Sequence, residues 1–453
     1  MAILAGILER IKQDLEPFLP EASIVDACRE AGHQWRERKC GPVRTVHLFL
    51  LQVLHFNTAM THLRHLAKAP VQAPAFCRAR MRLPLAVWQA LLRQSSQAMR
   101  GTVEAGEGLW CGLRPYLVDG SSTMAPDTAD SQKAFGQPHG CKKGCGLPVP
   151  KVLGLFDAFT GLVVEALCFP LYTHEQSKVW QLHPLLQAGD LLVGDRGFCS
   201  FVHLALLSLR GMHGLFRMHQ KQIVDFRPYR KHRRQYAQGC RVTGRPMPRS
   251  RFLRRLGKHD QVVEWFKPAQ KPRWMTAAQY DALPASLRVR ELRCQLSAKG
   301  QRTQCLTIAT TLLDPEAYPK EEVLALYGVR WTVETHFAQL KTTLRMRKVK
   351  SRSAQGVRKE VAVYCLIYNL VHVVMWQAAR RQRVAPRRIS FLDTVRWLLS
   401  AEPGEMLPDL VVIPQRPGRH EPRVVKDRED TYPKMTRPRA VLRKALQNQR
   451  KAA

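Results

Sequence analysis

Apolar residues recur at helical spacing over residues 23–29, 45–66 and 85–100, so the first hundred residues read as helices. Pro74, Pro84 and the Gly41-Pro42 pair separate them. The pattern then changes. Tyr116-Leu117-Val118 is short and apolar, and Asp119-Gly120 is expected to end it. Residues 151–156 and 162–169 flank Asp157-Ala158-Phe159-Thr160-Gly161 as two strands flank a hairpin turn. Residues 176–186 and 201–209 suit helices; 191–194 and 214–218 suit strands, the first ending at Asp195. Further strands are expected at 261–266, 289–296 and 305–311. One long helix is expected from Pro319 through Lys341, with Glu321 and Glu322 in its first turn, where the helix dipole favours acids. The order describes a mixed α/β layer architecture, its sheet interrupted by an insertion.

Charge narrows the partner. The 453 residues hold 72 Lys+Arg against 36 Asp+Glu, a formal net charge of +36. An apolar fraction of 45% excludes a globally disordered chain. Such a surplus argues against small cationic substrates and for a polyanion, either nucleic acid or an anionic membrane. The longest apolar stretches, 46–56 and 361–376, are broken by Gln52, His55, Asn369 and His372, and fall short of the ~20 residues that span a bilayer. The N-terminus lacks a charged lead-in and meets Glu9 and Arg10, unlike a secretory signal. The expectation is a cytoplasmic protein whose 12 cysteines are free thiols. Nucleic acid remains as the partner. Twelve Arg/Lys and no acid lie between Arg227 and His259, and twelve Arg/Lys against four acids follow Pro414.

Acids are scarce, so their placement carries information. Asp119 and Asp195 each follow a short apolar strand, and a glycine follows each closely. Strand ends of α/β sheets present catalytic side chains; an Asp-Gly pair is also the ordinary signature of a turn. At ~100° per residue, Tyr327, Arg330, Glu334 and Lys341 share an arc of about 60° on the expected helix. Val329, Val333, Phe337 and Leu344 are left for packing. An Arg–Glu pair at this spacing is commonly a surface contact of about 0.2–0.5 kcal/mol. Three carboxylates beside cations also have a direct chemical use. Mg²⁺ takes one or two carboxylates per ion, and two ions activate a water or 3′-hydroxyl for in-line displacement at phosphorus. Other candidates read as structural. His139, Cys141 and Cys145 lack a second ligand pair at zinc spacing. Asp157 sits in the hairpin turn, Asp127 and Asp130 in a loop, and Glu360 beside Arg358 and Lys359 as a solvated pair. Asn369, within an apolar run, is expected to bond backbone.

The spacing Tyr327-x2-Arg330-x3-Glu334-x6-Lys341 resembles the Y-R-E-K signature of bacterial insertion-sequence transposases of the DDE class (insertion-sequence family four). The resemblance extends to Asp119-Gly120-Ser121, to Asp195-Arg196-Gly197-Phe198-Cys199-Ser200 and to Tyr368-Asn369-Leu370, and covers roughly residues 20–380. It implies an RNase H-like catalytic domain with Asp119, Asp195 and Glu334 as catalytic, metal-holding acids. It implies two Mg²⁺ ions, with Mn²⁺ as a substitute. Tyr327, Arg330, Lys341 and Arg196 would contact DNA near the scissile phosphate. The implied layout is a helical DNA-binding domain over 1–105, catalytic parts over 113–218 and 311–385, a β-rich basic insertion over 219–310, and a basic region over 386–453. Partners would be double-stranded DNA, as terminal inverted repeats and target, and a second copy in the DNA complex; in the cell, the bound protein would sit at the nucleoid. Trp265 and Trp274 are candidates for stacking a flipped base, though a buried sheet tryptophan is the commoner case. His47, Arg64 and His65 could read the repeats from the N-terminal helices. Two other classes compete: a nuclease with the same site but no strand transfer, and a noncatalytic DNA-binding protein. Loss of an acid would favour the latter, and Asp119, Asp195 and Glu334 are all present.

Overall fold

A computed structural model describes residues 18–36, 40–67, 70, 72–102, 107–233, 247–296, 304–401, 405–414 and 435–452. Four strands build the part that matters for the site. They are β1 (Arg114–Ser122), β2 (Lys151–Asp157), β3 (Val163–Phe169) and β4 (Asp190–Gly194). Then come β5 (His213–Arg217), β6 (Arg251–Gly257), β7 (Asp260–Phe266), β8 (Ser286–Leu296) and β9 (Gln304–Thr310). All nine lie in one mixed sheet, in the order β3-β2-β1-β4-β5-β9-β8-β7-β6. β4 runs parallel to β1 and β5 parallel to β4; the remaining pairs are antiparallel.

The strands of 219–310 do not make a second sheet. β9 pairs antiparallel with β5, Leu215 opposite Thr310, so the outer edge of β5 is covered and the ladder continues. β6 closes the far edge, with Arg251, Arg254 and Arg255 exposed along it. Charged side chains there discourage edge-to-edge pairing. Part of the basic stretch thus occupies a sheet edge; residues 234–246 and 415–434 of the two basic segments lie outside the described residues.

Several elements depart from the periodicity reading. β1 does not stop at Asp119-Gly120: Asp119 pairs with Gly154 and Gly120 with Leu153 inside the strand. The helix expected over 45–66 ends at Leu54, where Phe56 and Asn57 take positive φ, and a single turn, Leu63–Leu66, follows. The sequence 176–186 gives one α turn and then a 3-10 segment, Trp180–Leu185, with Pro184 inside it. The long helix from Pro319 is really two. Lys320–Val329 ends at Arg330, Thr332–Ala338 follows, and a π turn spans Gln339–Thr343.

The long helix Ala354–Gln382 is the core of the molecule. Its 29 residues are long and apolar enough to cross a bilayer, which the interrupted run 361–376 did not suggest. Ninety-four per cent of its most apolar window is buried inside the fold. The N-terminal helices Pro42–Leu54 and Leu85–Gly101 pack on it, as does β3. Glu360, on this helix, is not a solvated partner of its neighbours. It is 1% exposed and accepts from Asn57 Nδ2 at 2.5 Å and from the Lys350 and Ser351 N–H groups at 2.8 Å. Asn369 does bond backbone, at Val163.

Candidate active site

The parallel pairing of β1 with β4 sets Val118 opposite Gly194. The next residue on each strand is an aspartate. Asp119, still within β1, and Asp195, just past β4, therefore stand side by side at the carboxyl end of the parallel ladder. Each is oriented locally. Asp119 Oδ1 accepts the Gly120 N–H at 2.7 Å, and Asp195 Oδ1 accepts the Gly197 N–H at 2.7 Å. Burial pushes the Asp119 carboxyl up to about 6; the Gly120 N–H opposes this, the Asp195 charge adds to it, Arg330 opposes and Glu175 adds. Both aspartates are partly exposed.

Arg330 brings the third acid into this neighbourhood. Its Nη1 lies 3.5 Å from Asp119 Oδ2 and its Nη2 lies 3.7 Å from Glu334 Oε1. Arg330 is buried; the Glu334 side chain is 66% exposed. The break between the two short helices makes this possible. Consecutive i→i+3 bonds (Val333 N–H to Arg330 O, Glu334 N–H to Trp331 O) tighten the turn that carries both residues. The guanidinium sits 5.3 Å from the Trp331 ring centre and 5.9 Å from that of Tyr327. Tyr327 is 2% exposed, and burial pushes its phenol up to about 12. Lys341 Nζ reaches Ser121 Oγ at 3.3 Å, and Ser121, two residues on in β1, shares the sheet face of Asp119. Burial is the main cause, and Arg347 a lesser one, of its ammonium being pulled down. Arg196 is exposed, with Nη1 3.4 Å from Gln220 Oε1.

The structure thus gathers Asp119, Asp195, Arg330 and Glu334 around the end of the parallel β1–β4 ladder, with Lys341 at Ser121, two residues further along β1. Glu175 joins them unannounced. A Cβ built on Gly120 would lie 2.3 Å from its Oε1, so its carboxylate rests against the bare Cα of Gly120. Lys151 Nζ stands 3.7 Å away as its counter-ion. Nothing in the sequence around Glu175 marks it: it follows His174 in a loop and is placed only by the fold.

Among the described residues, no three His, Cys, Asp or Glu side chains stand close enough together to hold one metal ion. The donor chemistry nevertheless fits a hard divalent cation. Asp119 and Asp195 offer oxygen alone, the donor Mg²⁺ prefers. Their mutual repulsion is of the kind that a bound cation relieves. The room at Gly120 that a Cβ would fill keeps a further carboxylate beside them.

Of the candidates for stacking or reading bases, Trp265 and His47 are buried. Trp265 is buried in β7, with Nε1 donating to Glu291 Oε1 at 3.0 Å. Trp274 stacks on Trp180 at 6.3 Å. His47 faces the core, while Arg64 and His65 are exposed on the short turn.

A mixed sheet with aspartates side by side at the end of a parallel ladder and a following acid-bearing helix defines the class, and the family described as Transposase DDE domain matches residues 110–370. The chain belongs to this family, among the DDE-class transposases of the IS4 type. It is 26% identical over 381 residues to "Transposase InsG for insertion sequence element IS4" from Escherichia coli (strain K12), covering 77% of this chain and 78% of that one. A solved structure, "Cryo-EM structure of piggyBac transposase synaptic complex with hairpin DNA (SNHP)", is similar at a TM-score of 0.42 and 10% identity, covering 85% and 78% of the two chains.

Proposed function

We propose that this transposase cuts the ends of its insertion sequence and joins them to target DNA, by cut-and-paste phosphodiester hydrolysis and transesterification. In this reading 113–218 and 311–385 form an RNase H-like catalytic domain, 219–310 is its insertion, 1–105 binds DNA, and 386–453 is a basic region for dimer contacts or nonspecific DNA binding. The strand order β3-β2-β1-β4-β5, with β4 and β5 parallel to β1, supports that domain. The observation that carries the functional reading is the side-by-side placement of Asp119 and Asp195 at the end of the parallel β1–β4 ladder, with Arg330 tying Glu334 to Asp119.

Asp119, Asp195 and Glu334 would hold Mg²⁺, or Mn²⁺ in its place. When bound, such ions acidify a water or 3′-hydroxyl and offset charge on the leaving oxygen. The protein's own residues orient and bind. Gly120 and Gly197 N–H groups fix the Oδ1 oxygen of each aspartate, while Asp119 Oδ2 faces Arg330 Nη1 at 3.5 Å. Arg330 keeps Glu334 near the strand end. Lys341 and Arg196 supply cations for phosphates flanking the scissile bond. Tyr327, buried behind Arg330, backs that guanidinium. Water attacks phosphorus first, releasing a 3′-hydroxyl; that hydroxyl then attacks a second phosphodiester. Neither step needs a covalent bond to the protein. Two copies would hold the two ends.

The test is incubation of the full chain with end DNA and Mg²⁺, beside Asp119→Ala. Joined or hairpin products from the wild type alone support the reading. Equal cutting by the variant overturns the site. Free nicked ends without joined products would indicate a nuclease, and metal-independent binding without cleavage a noncatalytic DNA-binding protein.

A further inference from the structure

Tyr368 and Asn369 have no part in the roles above, yet they stand together in the middle of the most buried helix of the protein. A hydroxyl and an amide in such a place cost free energy unless bonded. Both are bonded, and to one feature, the hairpin between β2 and β3. Asn369 Oδ1 accepts the Val163 N–H at 2.8 Å, and Asn369 Nδ2 donates to Val163 O at 2.8 Å. That is the two-bond exchange of a strand pair, supplied by a side chain to the outermost strand of the sheet. One turn further on, His372 packs on Tyr368, and Trp376 Nε1 donates to Thr160 O at 3.3 Å.

Tyr368 does one thing more. Its Oη donates to Gly161 O at 3.1 Å and lies 2.7 Å from His336 Nδ1. A phenol has a single proton. With that proton on the Gly161 carbonyl, the second bond requires the proton of His336 to be on Nδ1, an assignment made from the network. His336 is two residues beyond Glu334, and its ring stacks on Phe156 of β2 at 5.3 Å. The helix carrying both, Thr332–Ala338, is only seven residues long, between a tightened turn and a π turn. So short a helix has no stability of its own. Its direction is set by what grips it. Val333 and Phe337 supply the apolar grip, and the Tyr368–His336 bond the directional one.

We infer that Tyr368 is a positioning residue for the reaction, fixing the Glu334 turn against the β2–β3 hairpin through His336. The inference rests on Glu334 being the third catalytic acid. Tyr368→Phe removes one oxygen and keeps the ring. Trp376→Phe is the control, because it loses a bond to the same hairpin without touching His336. The full chain is assayed with end DNA for three quantities. These are Mn²⁺ affinity by electron paramagnetic resonance, the Mg²⁺ concentration for half-maximal cleavage, and DNA affinity without divalent metal.

Tyr368→Phe is expected to weaken Mn²⁺ binding and raise half-maximal Mg²⁺ by about tenfold, the low end of what losing a direct outer partner of a metal ligand costs, because Tyr368 acts on Glu334 through His336. DNA affinity should stay within about twofold, and Trp376→Phe should match the wild type in metal dependence. His336→Asn, which keeps a donor near the Nδ1 position, should recover most of the metal affinity that His336→Phe loses. Equal metal dependence in Tyr368→Phe and wild type, or equal losses in Tyr368→Phe and Trp376→Phe, would overturn the inference. Glu334→Gln separates the two readings. If it cleaves like wild type, the third-acid reading fails; if it is dead while Tyr368→Phe is unchanged, only the positioning role fails.

Discussion

Arg330 Nη1 lies 3.5 Å from Asp119 Oδ2, joining side chains 211 residues apart, while its Nη2 stands 3.7 Å from Glu334. One buried guanidinium thereby spans the first and third acids. Its Nε has no hydrogen-bond partner, so the two Nη groups carry its polar contacts here. A positive charge between two carboxylates offsets their repulsion and keeps the Glu334 turn from swinging away from β1.

Lysine keeps that charge but not the fork. Arg330→Lys can reach Asp119 or Glu334, not both. Misplacement of a reacting group by an ångström costs about 10²-fold. End cleavage by Arg330→Lys is therefore expected to fall by about 10–100-fold, with DNA affinity much less affected. A cleavage time course on end DNA measures it, and activity within a factor of two of wild type would remove Arg330 from the site.

Glu360 ties the loop at Asn57 to the backbone at Lys350 and Ser351 with three hydrogen bonds to a buried carboxylate. Glu360→Ala leaves three donors without an acceptor, two of them buried, Asn57 Nδ2 and the Ser351 N–H. Each unsatisfied donor costs ~1–3 kcal/mol. Part of that is regained by relaxation, so a loss of about 3–5 kcal/mol is expected. Glu360→Gln, with one acceptor oxygen instead of two, should lose less. Urea unfolding of the two variants gives the order; equal stability with wild type would mean the carboxylate is not buried in solution.

The hairpin at Asp157–Gly161, the strands around it and the placement of Asp195 just after β4 were legible because they rest on local signals: alternation, turn residues and short apolar runs. The split of the Glu334 helix was not. No proline marks the break at Arg330-Trp331, and apolar spacing survives when i→i+3 bonds replace i→i+4 bonds for one turn. Gly120 misled for a related reason. An Asp-Gly pair usually signals a turn, but here the missing Cβ serves a side chain distant in sequence, Glu175. Glu360 looked solvated beside Arg358 and Lys359 because sequence neighbours on a helix face different ways; Asn57, some 300 residues earlier, decides its environment. The joining of β9 to β5 is likewise a long-range pairing that no window of sequence contains.

Gly120 gives a direct test of the Glu175 placement. Gly120→Ala adds a Cβ 2.3 Å from Glu175 Oε1. The clash is with the end of a flexible side chain, so the carboxylate swings aside, gives up Lys151 and leaves the fold intact. A stability loss under about 1 kcal/mol is expected. Glu175→Ala should then have a smaller effect in the Gly120→Ala background than alone, since contacting residues are not additive. A double-mutant cycle by thermal melts, together with cleavage rates, measures this; strict additivity in both would separate Glu175 from Gly120.

Asp119 sets site chemistry against stability. Its carboxyl is pushed from 3.8 up to about 6 in the fold, chiefly by burial. A raised carboxylate binds its proton more tightly folded than unfolded, so it stabilises at low pH. That stabilisation is lost as pH rises through the window from about 4 to about 6. Above the window the metal-free protein holds a partly buried charge at a net cost. Asp119→Asn removes the charge and keeps the shape. At pH 7.5 without divalent metal it should unfold later than wild type, by about 1–2 kcal/mol, while cleaving nothing. At pH 5, where most of the wild-type group is protonated, the advantage should shrink. Thermal melts in chelator at the two pH values decide it: an Asn variant that melts below wild type at both would mean that burial does not strain Asp119, and that its charge is already compensated by Arg330 alone.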